Sequence, residues 1–177
     1  TMENITLVSE MVNGEIVRGE SQIPQHGGRI HRLFVEPTNA LAHPDAVQAI
    51  LDAEVIVLGP GSLYTSVLPN LMIPGIRHAL VASTALKIYV CNVATQIGET
   101  DGYTIADHVD ALEHHLGQQI IHCVLANSLP SARTIESANT PQPVANNGHL
   151  PLGVDLLVAD VVDPEYPHHH DPQRLAE

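Results

Sequence analysis

The stretch VIVLGPGSLYTSVLPNL at residues 55–71 begins with an apolar run, which is followed by two glycines, a proline and several hydroxyl side chains. Glycine permits tight turns and close backbone approach, which leaves amide groups free to point at an anion. The loop therefore predicts a phosphate or diphosphate site, with the candidate contacts Gly59, Pro60, Gly61, Ser62, Thr65 and Ser66. A tight strand-to-helix turn with capping hydroxyls is the alternative, because a lone Gly-rich turn is weak evidence.

A second polar loop follows the next predicted strand, in the sequence CNVATQIGETDGY at residues 91–103. Because the carboxyl ends of parallel strands meet at one edge of a sheet, two such loops favour a binding site more than either loop alone. Glu99 and Asp101 would bind Mg²⁺ or orient a sugar hydroxyl, although two carboxylates without a ligand pattern are more typical of solvated loop charges. The candidate ligand contacts in this loop are Asn92, Thr95, Gln96, Glu99, Thr100 and Asp101.

Histidines supply the remaining candidates. His108 is predicted one turn into a helix that starts at the edge of the site, where it would meet a ligand or act as an acid or base; packing against the sheet is the alternative. The adjacent histidines at 114–115 and 168–170 match no zinc-ligand spacing, so we expect them on the solvated surface and predict no metal site. No Ser or Cys lies in a recognisable nucleophile motif, and no catalytic residue is assigned.

Apolar segments must position these loops. Runs without polar alternation predict buried strands at residues 54–59, 87–92 and 120–127, and helical patterns separate them at 75–84 and 104–116. This alternation indicates right-handed β-α-β units in a Rossmann-like, mostly parallel α/β sheet flanked by helices. The helix at 104–116 has the clearest ends, because Thr104 and Asp107 form a capping-box start and Gly117 follows its last turn.

The flanking segments complete a single α/β domain. Alternating runs joined by Asn13 and Gly14 predict an N-terminal β-hairpin with a type I′ turn, and a short helix is predicted from Pro44. We divide the chain into a β-hairpin and strand region at 1–37, a β-α-β core at 44–126, a long loop at 127–153, and a final strand with a polar tail at 154–177. Long loops in compact domains are typically functional or mobile.

Charge and composition exclude some classes of protein. The chain of 177 residues has a formal net charge of -13, with seven Lys and Arg against 20 Asp and Glu. Seven cationic residues supply a poor basic face, so we expect no nucleic-acid partner. No apolar run reaches the ~18 residues of a membrane span, and no basic-then-apolar leader opens the chain. With two cysteines in apolar runs, this predicts a cytoplasmic protein without membrane insertion.

The run VIVLGPGSLYTSVLPNLMIPGI, followed by YVCNVATQIGETDGYTIADHV, resembles the YvcK-type gluconeogenesis factors of bacteria, which belong to the superfamily of 2-phospho-L-lactate transferase (CofD). The resemblance also covers ITLVSEMVNGEIVRGESQIP, GGRIHRLFVEP and HDPQRLAE, and thus nearly the whole chain. Similar members are nearly twice as long and open with a Gly-rich nucleotide loop and an Asp-Asp-Gly-Gly element. Neither element is present here, so the chain resembles their C-terminal half.

The resemblance implies a nucleotide-linked ligand. For the YvcK type this would be a UDP-sugar, bound by a regulator of carbon use, cell shape and wall synthesis. For the transferase branch it would be a guanine-nucleotide-activated phospholactate donor with a deazaflavin acceptor, and Mg²⁺ as cofactor. Those transferases share a Gly-Pro-Ser-Asn-Pro loop, whereas Gly59-Pro60-Gly61-Ser62-Leu63 favours the YvcK branch. On this resemblance the first loop would hold the phosphate, and Asn92, Thr95 and Gln96 would contact the rest of the ligand. Separately, a homodimer is an expectation for the partners of this chain.

Overall fold

The computed structural model describes residues 1–128, 140–146 and 149–177. Its strands are β1 (Thr6–Met11), β2 (Ile16–Arg18), β3 (Ile30–Glu36), β4 (Val55–Leu58), β5 (Leu86–Val90), β6 (Cys123–Asn127) and β7 (Asp155–Ala159). Its helices are α1 (Gln22–His26), α2 (Pro44–Asp52), α3 (Leu68–Leu71), α4 (Pro74–Ala82), α5 (Ile105–Leu116) and α6 (Pro172–Ala176), with a π-helical turn at Leu63–Val67. Within these residues, an antiparallel sheet has the order β2-β1-β3 and a second sheet the order β4-β5-β6-β7.

The antiparallel sheet contains the predicted hairpin, but the prediction of a type I′ turn was wrong. The backbone N–H of Gly14 donates to Met11 O over 2.9 Å, and Met11 N donates to Glu15 O over 2.8 Å. Gly14 has a φ of 85°, whereas no described non-glycine residue, Asn13 included, has a positive φ. Because a type I′ turn needs positive φ at both central residues, this connection is a type I turn followed by a glycine bulge.

The second sheet confirms the prediction of parallel β-α-β units. All three strand pairings are parallel, so the carboxyl ends of the four strands lie at one edge. The predicted ends of α5 are also present: Thr104 Oγ1 accepts from Asp107 N over 3.2 Å, and Asp107 Oδ2 accepts from Thr104 N over 2.7 Å. Gly117 ends the helix in the left-handed conformation, with a φ of 72°. The helix that follows the second loop is therefore fixed at both ends.

One face of the parallel sheet is buried beneath the helices. Tyr89 of β5 and Val124 of β6 belong to a buried apolar cluster that also contains Leu80 of α4 and Leu112 of α5. The same cluster continues through Leu33 into the antiparallel sheet. Because one core joins the two sheets and the helices, the loops at the carboxyl edge are carried on a rigid scaffold.

The opposite face is half exposed, which corrects the prediction of a buried strand at residues 54–59. Val55 and Val57 of β4 are 51% and 55% exposed, and Leu86, the partner of Val55 on β5, is 46% exposed. Within the described chain β4 is an edge strand. A continuous apolar run shows that a strand has no polar face, but it does not show how many of its faces are covered.

Some elements lie where none was predicted. Helix α1 follows the hairpin, and the π-helical turn and α3 directly follow the Gly-rich loop. The polar tail ends in α6, whose first turn is capped by Asp171 Oδ1, which accepts from Gln173 N over 2.8 Å. The predicted long loop at 127–153 falls partly outside the described residues.

No helix in the described part of the chain combines the length and the hydropathy needed to cross a bilayer.

Candidate functional site

The two predicted loops come together around a cavity of about 580 Å³ at the carboxyl edge of the parallel sheet. Ligands of open parallel sheets bind at this edge, and the volume is in the range that holds small molecules. The lining includes Pro60, Gly61 and Ser62 from the first loop, and Asn92, Ala94, Thr95, Gln96 and Ile97 from the second.

The Gly-rich loop needs its glycines for steric reasons. Gly59 has a φ of 95°, and a Cβ atom there would lie 3.0 Å from Val90 O. A Cβ atom on Gly61 would lie 3.1 Å from Ser66 Cβ, so Ser66 packs beneath the loop and lines a neighbouring cavity of about 290 Å³. The backbone N–H groups of Gly61 and Ser62 make no hydrogen bond within the described residues. They are therefore free to bind an anion.

A side-chain hydrogen bond joins the two loops. Gln96 Nε2 donates to Ser62 Oγ over 2.6 Å. Because the Ser62 oxygen accepts from Gln96, its own hydroxyl proton remains available for a ligand acceptor. The Gln96 backbone N–H in turn donates to Thr100 Oγ1 over 2.9 Å. This hydrogen bond fixes the turn that begins at Gln96. Thr100 is fully buried and acts on the site through Gln96.

Three buried polar atoms of the cavity residues have no hydrogen-bond partner among the described residues: Asn92 Oδ1, Gln96 Oε1 and His168 Nδ1. A buried polar atom without a partner costs about 1–3 kcal/mol, so native proteins rarely keep one without a reason. The two amide oxygens are acceptors suited to hydroxyl or N–H donors, and the imidazole nitrogen accepts or donates according to its tautomer.

Thr95 lines the cavity but also anchors the segment at 140–146. Its backbone N–H donates to Gln142 O over 2.7 Å, and its Oγ1 accepts from Gln142 N over 2.9 Å. Ala94 forms an isolated antiparallel bridge with Pro143 next to it. This segment closes one side of the cavity, where Pro141 belongs to the lining.

Thr65 and Glu99 pair with each other instead of facing solvent. Thr65 Oγ1 donates to Glu99 Oε1 over 2.9 Å. Glu99 is only 5% exposed, which corrects the expectation of a solvated loop charge. Burial raises the pKa of Glu99, while the Thr65 hydroxyl and the backbone N–H groups of Tyr64 and Thr65 lower it. Neither residue lines the cavity, so both would act by holding the loops together.

Asp101 and His108 lie away from the cavity lining. Asp101 is exposed, and its Oδ2 accepts from Gly98 N over 2.7 Å, which closes the turn. His108 is fully buried, its Nδ1 is 2.8 Å from Thr104 O, and its ring packs edge-on against Tyr103. Burial lowers the pKa of His108. This geometry matches the packing alternative rather than a ligand contact.

The tail histidines are the residues that sequence reasoning missed. His168, His169 and His170 line the cavity, although they were expected on the solvated surface. His170 Nε2 is 3.2 Å from Cys91 O, and burial lowers the pKa of this imidazole. The available signal was their position after the last strand, because the carboxyl end of a fourth parallel strand lies at the same sheet edge as the two loops.

The described residues contain no cluster of three or more His, Cys, Asp or Glu side chains arranged to hold a metal ion. Glu99 is bonded to Thr65, and Asp101 is bonded to the backbone of its own turn. The pair therefore offers no preformed Mg²⁺ site within this part of the protein.

Comparison with known proteins assigns the family. The family model described as 2-phospho-L-lactate transferase CofD matches residues 1–162. The chain belongs to this family. It is 49% identical over 134 residues to the gluconeogenesis factor of Halalkalibacterium halodurans, and the match covers 76% of this chain and 42% of that protein. It is 40% identical over 167 residues to the gluconeogenesis factor of Listeria innocua, and this match covers 93% of this chain and 52% of that protein.

Solved structures agree with this assignment. A crystal structure of a UPF0052 family member from Bacillus halodurans has a TM-score of 0.88 at 40% identity, and the match covers 98% of this chain and 57% of that one. The resemblance to gluconeogenesis factors of the CofD superfamily and the predicted α/β fold are thus confirmed. The chain spans about half the length of the relatives it matches.

Proposed function

We propose that this protein is a nucleotide-sugar-binding regulator of the gluconeogenesis-factor type, with a UDP-sugar in the cavity at the carboxyl edge of the parallel sheet. The observation that carries the proposal is the cavity of about 580 Å³ in which Asn92, Gln96 and His168 each hold a buried polar atom without a described partner. A ligand rich in hydroxyl and N–H groups would offer the donors that these atoms lack. The role in carbon use, cell shape and envelope synthesis rests on the resemblance to the relatives.

The chemistry of the cavity divides between the two loops. The free backbone N–H groups of Gly61 and Ser62, together with the Ser62 hydroxyl, suit the diphosphate because they are donors in a glycine loop. Asn92 and Gln96 present amide oxygens, which suit sugar hydroxyls or the N–H groups of a base. The Gln96–Ser62 hydrogen bond of 2.6 Å keeps the two halves of this arrangement in register.

The alternative is a phospholactate-type transferase, which the family description favours. In that reaction the first loop would hold the activated donor, with Mg²⁺ and backbone amides stabilising the transferred phosphoryl group. A deazaflavin acceptor is flat and requires a stacking surface. Among the described residues that line the cavity, none is Phe, Tyr or Trp. This composition favours the regulator within the part of the protein that the chain represents.

Cytoplasmic location and a homodimer belong to the same proposal. Cys91 and Cys123 are both buried and unpaired, which is typical of a reducing compartment. The half-exposed apolar face with Val55, Val57 and Leu86 is a surface that a second copy would cover. Sedimentation equilibrium tests the dimer: a single species of monomer mass at about 100 µM protein would contradict it.

Titration calorimetry with UDP-N-acetylglucosamine, UDP-glucose, UDP, GDP and GTP tests the function. We expect saturable binding of the UDP-sugars, and loss of that binding in Gly61→Val, because the new side chain meets Ser66. Circular dichroism of the variant controls for folding. Selective binding of guanine nucleotides, together with product formation from donor and deazaflavin in the presence of Mg²⁺, would support the transferase instead.

A further inference from the structure

A second cavity, of about 540 Å³, lies between β3, the start of α4 and the end of α5. It shares no lining residue with the cavity at the sheet edge. Its polar lining is almost wholly cationic or imidazole: His31, Arg32, Arg77, His78 and His114. No Asp or Glu belongs to the described lining, although the chain has 20 acidic residues and a net charge of -13.

Neither arginine of this cavity has a carboxylate partner among the described residues, whereas two other arginines do. Arg18 pairs with Glu36, and Arg174 pairs with Asp160 over 2.7 Å. Lys87 Nζ donates to the backbone oxygen of Ser83 over 2.7 Å. The guanidinium groups of Arg32 and Arg77 form no ion pair or hydrogen bond with any described residue. In a protein with about three acids for each base, two unpaired guanidinium groups at one cavity leave a local positive field.

Helix α4 strengthens this field. Its first residue, Pro74, lines the cavity, and its N-cap residue Ile73 provides no side-chain cap. The positive end of the helix dipole is thus near the two arginines. Burial lowers the pKa of His115, and the charge of the nearby Arg32 guanidinium lowers it further. His115 itself is held by Leu33 N at 2.9 Å and Ala111 O at 2.7 Å, so the ring forms part of the wall and is not a free donor.

We propose that this cavity is a second ligand site, which binds a phosphorylated small molecule through Arg32 and Arg77. Guanidinium groups bind phosphate oxygens in bidentate pairs, and the nearby imidazoles and the positive end of α4 suit a ligand with two or more negative charges. A volume of about 540 Å³ holds a phosphorylated metabolite rather than a polymer. The site does not depend on the proposed nucleotide-sugar function, because none of its residues lines the other cavity.

Inorganic pyrophosphate and inorganic phosphate are the probes for this site. Titration calorimetry at pH 7 and 0.1 M salt compares the wild-type chain with Arg32→Gln, Arg77→Gln and Arg18→Gln. The last variant removes the same charge from an exposed residue outside the cavity, so it controls for the net charge. We expect saturable pyrophosphate binding that each cavity variant weakens about tenfold and that Arg18→Gln leaves unchanged. NMR signals of the His31, His78 and His114 rings should shift during the titration.

Three results would overturn the proposal. The first is a lack of saturable binding up to about 10 mM pyrophosphate. The second is an equal loss in Arg18→Gln, which would indicate attraction by overall charge. The third is binding that Gly61→Val abolishes while Arg32→Gln and Arg77→Gln leave it intact, which would place pyrophosphate in the first cavity. Circular dichroism melting curves establish that the variants are folded.

Discussion

Gln96 and Ser62 connect the two loops of the candidate site directly, through a hydrogen bond of 2.6 Å from the Gln96 side-chain amide to the Ser62 hydroxyl oxygen. The two residues follow different strands, 34 positions apart in sequence. This bond therefore fixes the distance between the donor groups of the first loop and the acceptor groups of the second. The pair is partly buried, so solvent competes with it only weakly.

A double-mutant cycle measures this connection. Ser62→Ala, Gln96→Ala and the double variant are expected to show a coupling of about 0.5–1.5 kcal/mol in the free energy of unfolding. The physical reason is that either single change removes the same hydrogen bond. Urea denaturation gives the four values. Ser66→Ala combined with Gln96→Ala is the matched control, in which the two losses of unfolding free energy should add. Additive losses for the Ser62 pair as well would mean that the hydrogen bond does not couple the two loops.

Gly98 and Gly102 separate backbone strain from steric overlap. Both have positive φ, at 79° and 72°. A Cβ atom on Gly98 would overlap the Pro24 carbonyl oxygen, whereas one on Gly102 has nothing within 4 Å. Gly102→Ala should therefore cost about 1 kcal/mol of unfolding free energy, and Gly98→Ala about 3 kcal/mol or more. Equal costs in urea denaturation would mean that the second loop does not pack on Pro24.

Glu99 should destabilise the folded chain at neutral pH. Burial raises its pKa above the usual 4.5, so its contribution to stability is present below that value and is lost as the pH rises through the folded pKa. Glu99→Gln keeps the shape and the acceptor for Thr65 without a charge. We expect the variant to need more urea for unfolding than wild type at pH 7, and the difference to vanish near pH 4. The exposed control Glu3→Gln should leave the stability unchanged at both pH values. A Glu99→Gln variant that is less stable than wild type at pH 7 would contradict the account.

His115 should make the protein sensitive to mild acid. Its Nδ1 donates to Ala111 O and its Nε2 accepts from Leu33 N, a combination that only the neutral ring provides. Burial lowers its pKa below the usual 6.5, so the stabilisation is complete above 6.5 and is lost as the pH falls toward the folded pKa. Urea midpoints should drop between pH 7 and pH 5. His115→Gln should reduce this drop without removing it, because burial also lowers the pKa of His108 and His170. Exposed His149→Gln should leave the drop unchanged, and identical profiles for His115→Gln and wild type would exclude His115 as a cause.

The two faces of β4 should respond differently to truncation. Leu58 is 8% exposed and packs in the core, whereas Val57 is 55% exposed on the uncovered face. Leu58→Ala is expected to cost about 2–3 kcal/mol of unfolding free energy, because it leaves a cavity. Val57→Ala should cost less than about 1 kcal/mol. Similar losses for both variants in urea denaturation would mean that another part of the protein, or a second copy, covers Val57.

The parallel β-α-β units and the ends of α5 could be predicted because they depend on local signals. Apolar runs separated by helical patterns determine the β-α-β units, and Thr104, Asp107 and Gly117 each act within one helical turn. The hairpin was placed correctly for the same reason. Its turn type was wrong because an Asn-Gly pair permits positive φ at both residues but does not require it, and here only Gly14 adopts it.

The candidate site could be predicted only where it follows the strands directly. The loops after β4 and β5 lie together because they leave adjacent parallel strands, which the sequence pattern indicates. His168 and His170 reach the same cavity through the fold of the tail. Their position after the last parallel strand indicates the correct edge of the sheet, but not that these side chains line the cavity. Burial separates Glu99 from Asp101, although both follow the same glycine turn, and burial depends on tertiary packing rather than on residue type.

Titration of a UDP-sugar into Asn92→Ala tests the central claim most directly. Asn92 Oδ1 is a buried acceptor of the cavity without a described protein partner, so its removal should cost ligand affinity but little stability. We expect UDP-N-acetylglucosamine to bind about tenfold more weakly to Asn92→Ala than to wild type, and equally well to the exposed control Asn4→Ala. Equal affinity in all three proteins, or no binding to the wild type, would contradict a nucleotide-sugar site in this cavity.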